Sequence, residues 1–515
     1  MKSAILIDGY VDEPAVLGVP PYISTYARYI AGTLLLKGFD VSYITIDQIR
    51  QKNKWKDFND YNVLVILSSV TVPGKYIGGT PITVDEIKKI FTLNKKPFRI
   101  LTGAIVEFAE NVEADDMTVD FLEYAFEKVD YQIIRVVSIK GASIVKQHPR
   151  YPDVICEVEV STGCERKTYC TFCSEPILHP FFSSRPVKDI VDEVETLYKE
   201  GIKAFRLGRS ANILAYGFDK NSSNVNVILI NELYNGIRSV APDLEVLHTD
   251  NANPGFIAKY YPESAKAIEM IVRYNTPGDI LSFGVESFDE VVRKKNNIQG
   301  SVKDIDFAVK LVNEIGGKRI DGVPKLLPGL NFVFGLYGET KRSYEILYKK
   351  LREYLEKDML VRRINLRQIY VVPNTPLWFL SQRKKIKVNK KLFNHYKYLI
   401  RNNIDNKMLR KVFPKGTVIR GVIPEYREGN ITFARPLGTY PILVGVIGEI
   451  TKKSDVYVVD YGLRSLTAVE VKKRVGEYSI SDLIKIPGIG KSKAKELKEK
   501  FSEKLLVEML EGDVV

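Results

Sequence analysis

The chain has 515 residues, 45% of them hydrophobic and 10% aromatic, enough apolar mass for three or four cores, which excludes a natively disordered protein. No apolar run approaches the ~18 residues that span a bilayer, and Asp8 interrupts the first apolar stretch, so neither a membrane span nor a secretory signal is expected and the protein reads as cytoplasmic with no membrane partner. The net charge of +13 is unevenly placed: residues 1–382 balance, whereas 383–515 hold 28 lysines and arginines against 15 acids, the pattern of a polyanion-binding tail, although a basic solvated surface would count the same.

Residues 1–148 alternate strand and helix signals. Ala4–Ile7, Val41–Ile46, Val63–Ser68 and Arg99–Thr102 read as strands; Ser24–Lys37, stopped by Gly38, and Thr83–Leu93 read as helices. This predicts a doubly wound α/β domain. Residues 152–382 repeat strand then helix six times, with strands at Glu157–Ser161, Lys203–Leu207, Glu245–His248, Ile280–Val285, Leu330–Phe334 and Arg363–Tyr370. Six such units predict a parallel (β/α)6 partial barrel with its active site at the carboxyl ends of the strands. Residues 383–475 begin basic and helical and then turn β-rich, at Thr417–Ile423, Asn430–Ala434, Leu443–Ile450 and Val456–Asp460, which suits a small barrel. Residues 476–515 are helical around the turn Ile486-Pro487-Gly488-Ile489-Gly490.

The four cysteines are too few for a disulfide scaffold. Cys156 falls in the lead-in to a strand and reads as a buried apolar residue. Cys164, Cys170 and Cys173 fall within ten residues, directly after the first strand of the barrel segment. Three thiolates can hold three irons of a [4Fe–4S] cluster and leave the fourth iron open to a non-protein ligand. The competing reading is a Cys₃His zinc site completed by His179.

This segment, with Phe172 before the last cysteine, resembles the radical S-adenosylmethionine (SAM) superfamily, with C-x5-C-x2-C where the superfamily usually has C-x3-C-x2-C. The resemblance implies a [4Fe–4S] cluster whose open iron chelates SAM, and an electron transfer that cleaves SAM to a 5′-deoxyadenosyl radical. It implies that Phe172 lies against the adenine and that Gly208 ends the strand that meets the SAM amine, with Arg209 where an acid is common. Glu286 matches the residue that reaches the ribose, Asn331 opens the motif near the adenine, and Arg367 and Gln368, beside Asn365, fall where carboxylate or substrate contacts are expected. Each of these could singly be a strand-end turn or a helix cap. The N-terminal domain resembles that of cobalamin-dependent radical enzymes, but its first 147 residues contain no histidine, so no cobalamin is expected there. His248, Asp250 and Asn251 end the third strand with more hydrogen-bonding groups than an Asn-Pro turn needs, and are expected to face substrate as catalytic residues.

In the tail, the 486–490 turn with Lys491, Lys493 and Lys495 resembles a helix–hairpin–helix, a sequence-independent grip on nucleic-acid backbone; a protein contact is the alternative. The β-rich segment resembles the RNA-binding TRAM barrel, with Arg420, Arg427, Arg435, Arg464 and Tyr461 as candidate contacts. The whole order of parts resembles the archaeal radical SAM family that completes archaeosine in tRNA. That implies as substrate a lysine-bearing 7-deazaguanine base of the tRNA D-arm, a lyase reaction breaking the C–N bond of the lysine side chain, and two partners: the lysine transferase of the pathway and a low-potential electron donor. A tRNA methylthiotransferase is the alternative, weakened because no cysteine precedes Cys156 to hold its second cluster. A non-catalytic RNA-binding iron–sulfur protein is another.

Overall fold

The computed structural model describes residues 2–11, 19–69, 77–219, 224–384 and 386–511. These form two compact units: Met1–Val160 with Arg185–Gly208 and Glu232–Leu247, and Ser161–Ser184 with Arg209–Asn231 and His248–Val515. No helix among the described residues is long and apolar enough to cross a membrane.

In the first unit, short β-branched runs pair as a five-stranded parallel sheet in the order Phe39–Thr45, Lys2–Asp8, Val63–Leu67, Phe98–Thr102, Asp116–Thr118. This is a doubly wound order. Its helices start where the sequence supplies caps: Ser24 accepts the Ala27 N–H ahead of Thr25–Leu36, and Thr83 and Glu86 form a reciprocal box at Val84–Leu93. The core includes Ile5, Ile7, Leu64, Ile66, Ile87 and Phe91. A second sheet runs in the order Val246–His248, Ala204–Gly208, Ile155–Glu159, Tyr22–Ile23. Behind it lies a buried charge group: Glu193 pairs with both Arg28 and Arg185, all three side chains 0% exposed. Arg28 also donates to the Glu157 carbonyl, and Arg206 pairs with the Glu157 carboxylate.

The second unit contains a parallel sheet in the order Asn251–Ala252, Asp279–Glu286, Leu326–Phe334, Arg363–Gln368. The six strands expected in one curl thus fall into two four-stranded sheets, because the third strand breaks after His248. There the Thr249 N–H leaves the ladder and donates to the Asp279 carboxylate at 3.0 and 3.1 Å. Helices Lys390–Ile400 and Asn406–Val412 lead to a closed five-stranded barrel, in the order Val418–Glu428, Ile431–Pro436, Leu443–Ile447, Ser465–Glu470, Ser454–Tyr461. The terminal helices Ile480–Leu483, Lys491–Phe501 and Leu506–Glu511 share one apolar core with that barrel: Ile447, Val459 and Val469 are buried together with Leu483, Ile486 and Leu497.

Candidate functional site

The sheet of the second unit has two chemically distinct faces. Strand residues alternate sides, and Phe283, Val285, Leu330, Phe332, Ile364 and Leu366 are buried. The alternate positions carry polar or small groups. Gly284, Asn331 and Asn365 lie side by side on three neighbouring strands, as do Ser282, Gly329 and Arg363. Asn331, Arg363, Asn365 and Arg367 are only partly buried, so this face opens to a space rather than to a core.

The cysteine segment is clipped to the helix ends that follow two strands of that sheet. The Thr171 N–H donates to the Asn296 carbonyl at 3.0 Å, the Thr171 hydroxyl to Asn296 Oδ1 at 3.1 Å, and the Leu377 N–H to the Thr171 carbonyl at 2.8 Å. Asn297 Nδ2 donates to the Tyr169 carbonyl at 2.7 Å. Gly163 has φ +76°, and a Cβ there would meet the Phe181 carbonyl oxygen at 2.4 Å, so only glycine fits before Cys164. Phe172 and Cys170 pack with Val333, Leu336 and Ile369 at the carboxyl ends of two strands.

This folding brings the three cysteines together: Cys164 feels the charge of Cys173, and Cys173 that of Cys170. Burial pushes the thiols of Cys164 and Cys173 up to about 12 and raises that of Cys170. Such thiols stay protonated at neutral pH unless a metal holds them as thiolates. A [4Fe–4S] cubane takes thiolate ligands at separate corners, so three thiols from one loop fit such a cluster. Arg166, in the two-residue enlargement of the loop, reaches back so that Nη1 lies 3.0 Å from Cys170 Sγ and Nη2 donates to the Asn297 carbonyl at 2.8 Å. No motif in the sequence singles out Arg166, Asn296 or Asn297.

Glu286 stands next to this trio; its charge acts on both Cys170 and Cys173. Burial raises its carboxyl to about 7, opposed by Arg367 and Arg293. Arg367 faces the Asn365 amide, whose oxygen accepts Nε at 2.5 Å and Nη2 at 2.8 Å, and Asn365 lies 3.1 Å from Asn331. Cysteine segment, Glu286, Arg367, Asn365 and Asn331 therefore make one continuous polar group. Gln368 has the opposite parity on its strand and is exposed. Glu286 and Arg209 are non-glycine residues with φ +61° and +60°, a costly conformation that gathers where side chains must be aimed. Gly208 belongs to the first unit, where it is buried and a Cβ would meet Glu157 Oε1 at 2.2 Å.

The residues ending the third strand have unequal settings. Asp250 and Asn251 converge with Ser161 on Ser210: the Ser210 N–H points at Asp250 Oδ2 at 3.4 Å, Asn251 Nδ2 donates to the Ser210 carbonyl at 3.2 Å, and Ser161 Oγ donates to Ser210 Oγ at 2.8 Å. His248 is 3% exposed, and its Nδ1 accepts the Thr439 N–H at 2.9 Å from the loop between two strands of the small barrel.

Three of the barrel's arginines are held by carboxylates. Arg420 pairs with Asp321 and Asp455, Arg427 with Glu449, and Arg435 with Glu425. The Tyr461 hydroxyl donates to the Phe413 carbonyl at 2.8 Å. At the helical turn, Gly490 caps Lys491–Phe501 with nothing within 4 Å of where its side chain would be, and Lys491 and Lys495 are exposed.

A model of the Radical SAM superfamily matches residues 158–351. An uncharacterized protein of Methanocaldococcus jannaschii is 40% identical over 91% of this chain and 93% of its own length. One of Archaeoglobus fulgidus is 38% identical over 94% and 92%. The ribosomal protein uS12 methylthiotransferase RimO of Actinobacillus succinogenes is 26% identical over 43% of this chain and 46% of that protein. Among solved structures, the cobalamin-dependent S-adenosylmethionine radical enzyme OxsB, 13% identical, aligns with a TM-score of 0.51 over 81% of this chain and 70% of that one, a likeness of fold.

Proposed function

This chain belongs to one family with the M. jannaschii and A. fulgidus proteins, and residues 158–351 match the Radical SAM superfamily; from the resemblance of its order of parts to the archaeal family that completes archaeosine, we propose that it is a cytoplasmic tRNA-modifying lyase that breaks the terminal C–N bond of a lysine carried on a 7-deazaguanine base, leaving archaeosine. Its cofactors are those of the superfamily, a [4Fe–4S] cluster and SAM. Bound together they supply one-electron cleavage of a carbon–sulfur bond.

The protein's own residues then have separable tasks. Cys164, Cys170 and Cys173 hold the cluster, and Arg166 fixes the Cys170 sulfur. Phe172 offers a flat apolar wall, with Val333 and Ile369, for an adenine ring. Arg367, oriented by Asn365, presents a fork that suits a carboxylate. Glu286, beside it, accepts hydrogen bonds from hydroxyl groups. Asp250 and Asn251, set by Ser210, hold the polar lysyl part of the substrate. The open amide end at Gly490 with Lys491 and Lys495 grips RNA phosphates without reading sequence.

The observation that carries this reading is the juxtaposition, in one unit, of a three-thiol loop, a polar strand face beneath it, and a basic helical turn sharing a core with a small barrel. Nucleoside mass spectrometry of tRNA from a deletion strain tests it. Loss of archaeosine with accumulation of the lysine-bearing base is expected. Loss of a different nucleoside, in particular a methylthio one, would replace the substrate assignment with the tRNA methylthiotransferase reading.

A further inference from the structure

The strongest unassigned feature lies where the last strand of the polar sheet starts. Arg362 and Arg363 precede or open Arg363–Gln368, Arg401 opens the turn Arg401–Asp405, and Arg464 immediately precedes Ser465–Glu470 of the small barrel. The four guanidinium groups are close enough to repel one another: Arg464 acts on both Arg362 and Arg363, and Arg401 on Arg464. Asp405 answers Arg401, Arg464 and Arg363 and is already paired with Arg401. Burial, with that repulsion added, lowers Arg362 and Arg363 to about 10.

The group is built rather than incidental. Arg362 lies over the Phe413 ring at 4.9 Å and donates from Nη2 to the Tyr440 carbonyl at 3.2 Å. Arg363 lies over the Tyr440 ring at 3.8 Å. Arg401 donates from Nη1 to the Ile364 carbonyl at 2.8 Å. Arg362 Nε is buried and has no hydrogen-bond partner. Arg464 is exposed and gives the cluster a mouth to solvent. Aromatic backing and single-point anchors fix the guanidinium planes and leave further N–H donors of the group for a phosphate.

We propose that Arg362, Arg363 and Arg464, walled by Tyr440 and Phe413, form a seat for a phosphodiester of the RNA substrate. The RNA identity of the ligand rests on the functional reading above; the phosphate chemistry does not. Arg363, Asn365 and Arg367 share one face of their strand, and four residues of strand span about 13 Å. A phosphate held at Arg363 therefore leaves a neighbouring base within reach of the Glu286–Arg367 end, beside the cysteine segment.

The test measures binding of labelled unfractionated tRNA to the full-length protein across a salt series. Arg464→Gln is expected to weaken binding about tenfold and to make the salt slope shallower by about one; Arg363→Gln should do the same. Arg420→Gln, which removes a charge already neutralised by Asp321 and Asp455, should change affinity less than twofold. Unaltered binding in both Arg464→Gln and Arg363→Gln, or an equal loss in Arg420→Gln, overturns the seat while leaving the enzyme reading intact. If the wild-type protein binds no tRNA, the RNA reading fails, and thermal protection by inorganic phosphate decides the seat. Protection of the wild type that Arg464→Gln abolishes upholds a phosphate site for another ligand; no protection removes it.

Discussion

The imidazole of His248 is joined to the backbone of Thr439, 191 residues later: Nδ1 accepts the Thr439 N–H at 2.9 Å. Gly438 comes so close that a Cβ on it would sit 2.9 Å from His248 Cε1. A histidine that the sequence places at the end of a catalytic strand is thus also the pin on which a barrel loop rests.

That joint makes a first prediction. His248→Ala strips the buried Thr439 N–H of its acceptor, a loss of about 1–3 kcal/mol, and hydrogen exchange should quicken across residues 436–441. His248→Asn, whose Oδ1 can accept in place of Nδ1, should restore the protection. A purely catalytic histidine would instead leave exchange unchanged in both variants.

The three cysteines should act as a unit. Anaerobic reconstitution is expected to give a brown protein with iron–sulfur absorbance, and Cys164→Ala, Cys170→Ala or Cys173→Ala should each abolish it. Cys156→Ala should not, since Cys156 lies buried in the first unit. A colourless wild type carrying one zinc refutes the cluster.

Arg367 and Asn365 face each other on one strand. Arg367→Met removes the fork and should weaken SAM binding at least tenfold by calorimetry, roughly the 1.5–3 kcal/mol of a hydrogen bond to a charged group. Asn365→Ala, which only loosens the arginine, should cost less. Equal affinities across all three proteins would move the carboxylate contact elsewhere.

Glu193 lies between Arg28 and Arg185 with no solvent exposure on any of the three side chains. Glu193→Ala removes the carboxylate that Arg28 and Arg185 share and should destabilise the first unit by about 3–5 kcal/mol, seen as an earlier urea transition. Glu193→Gln, which keeps an acceptor, should fall between.

His148 gives a pH signature. It is 3% exposed, stacks near Tyr43, and burial lowers its pKa to about 3. The unfolded protein takes up a proton below its ordinary value near 6.5, which the folded state refuses until about pH 3. The stability is therefore complete above pH 6.5 and drains away as pH falls toward 3. Between pH 7 and 5 the wild type should lose about 2 kcal/mol more than His148→Gln; equal losses in urea melts would contradict a neutral buried imidazole.

Much of the site is legible in the amino-acid sequence. Cys164, Cys170 and Cys173 announce a shared centre by falling within ten residues, and Ser24 and Thr83 announce helix starts, because both signals are local: a few neighbouring residues contain them. The alternation of Arg363, Asn365 and Arg367 with Ile364 and Leu366 likewise marks one polar strand face. Two things are not legible there. The sequence counts Arg420, Arg427, Arg435 and Arg464 alike, but three are neutralised by carboxylates 10 to 99 residues away, while Arg464 joins a charge cluster built from two other segments. Likewise Arg166 acquires its sulfur contact, and His248 its barrel loop, only through folding. The linear sequence determined which chemistry is present and where its elements begin; the tertiary fold decided which charges remain available to a ligand, because pairing depends on distance in space and no local pattern encodes it.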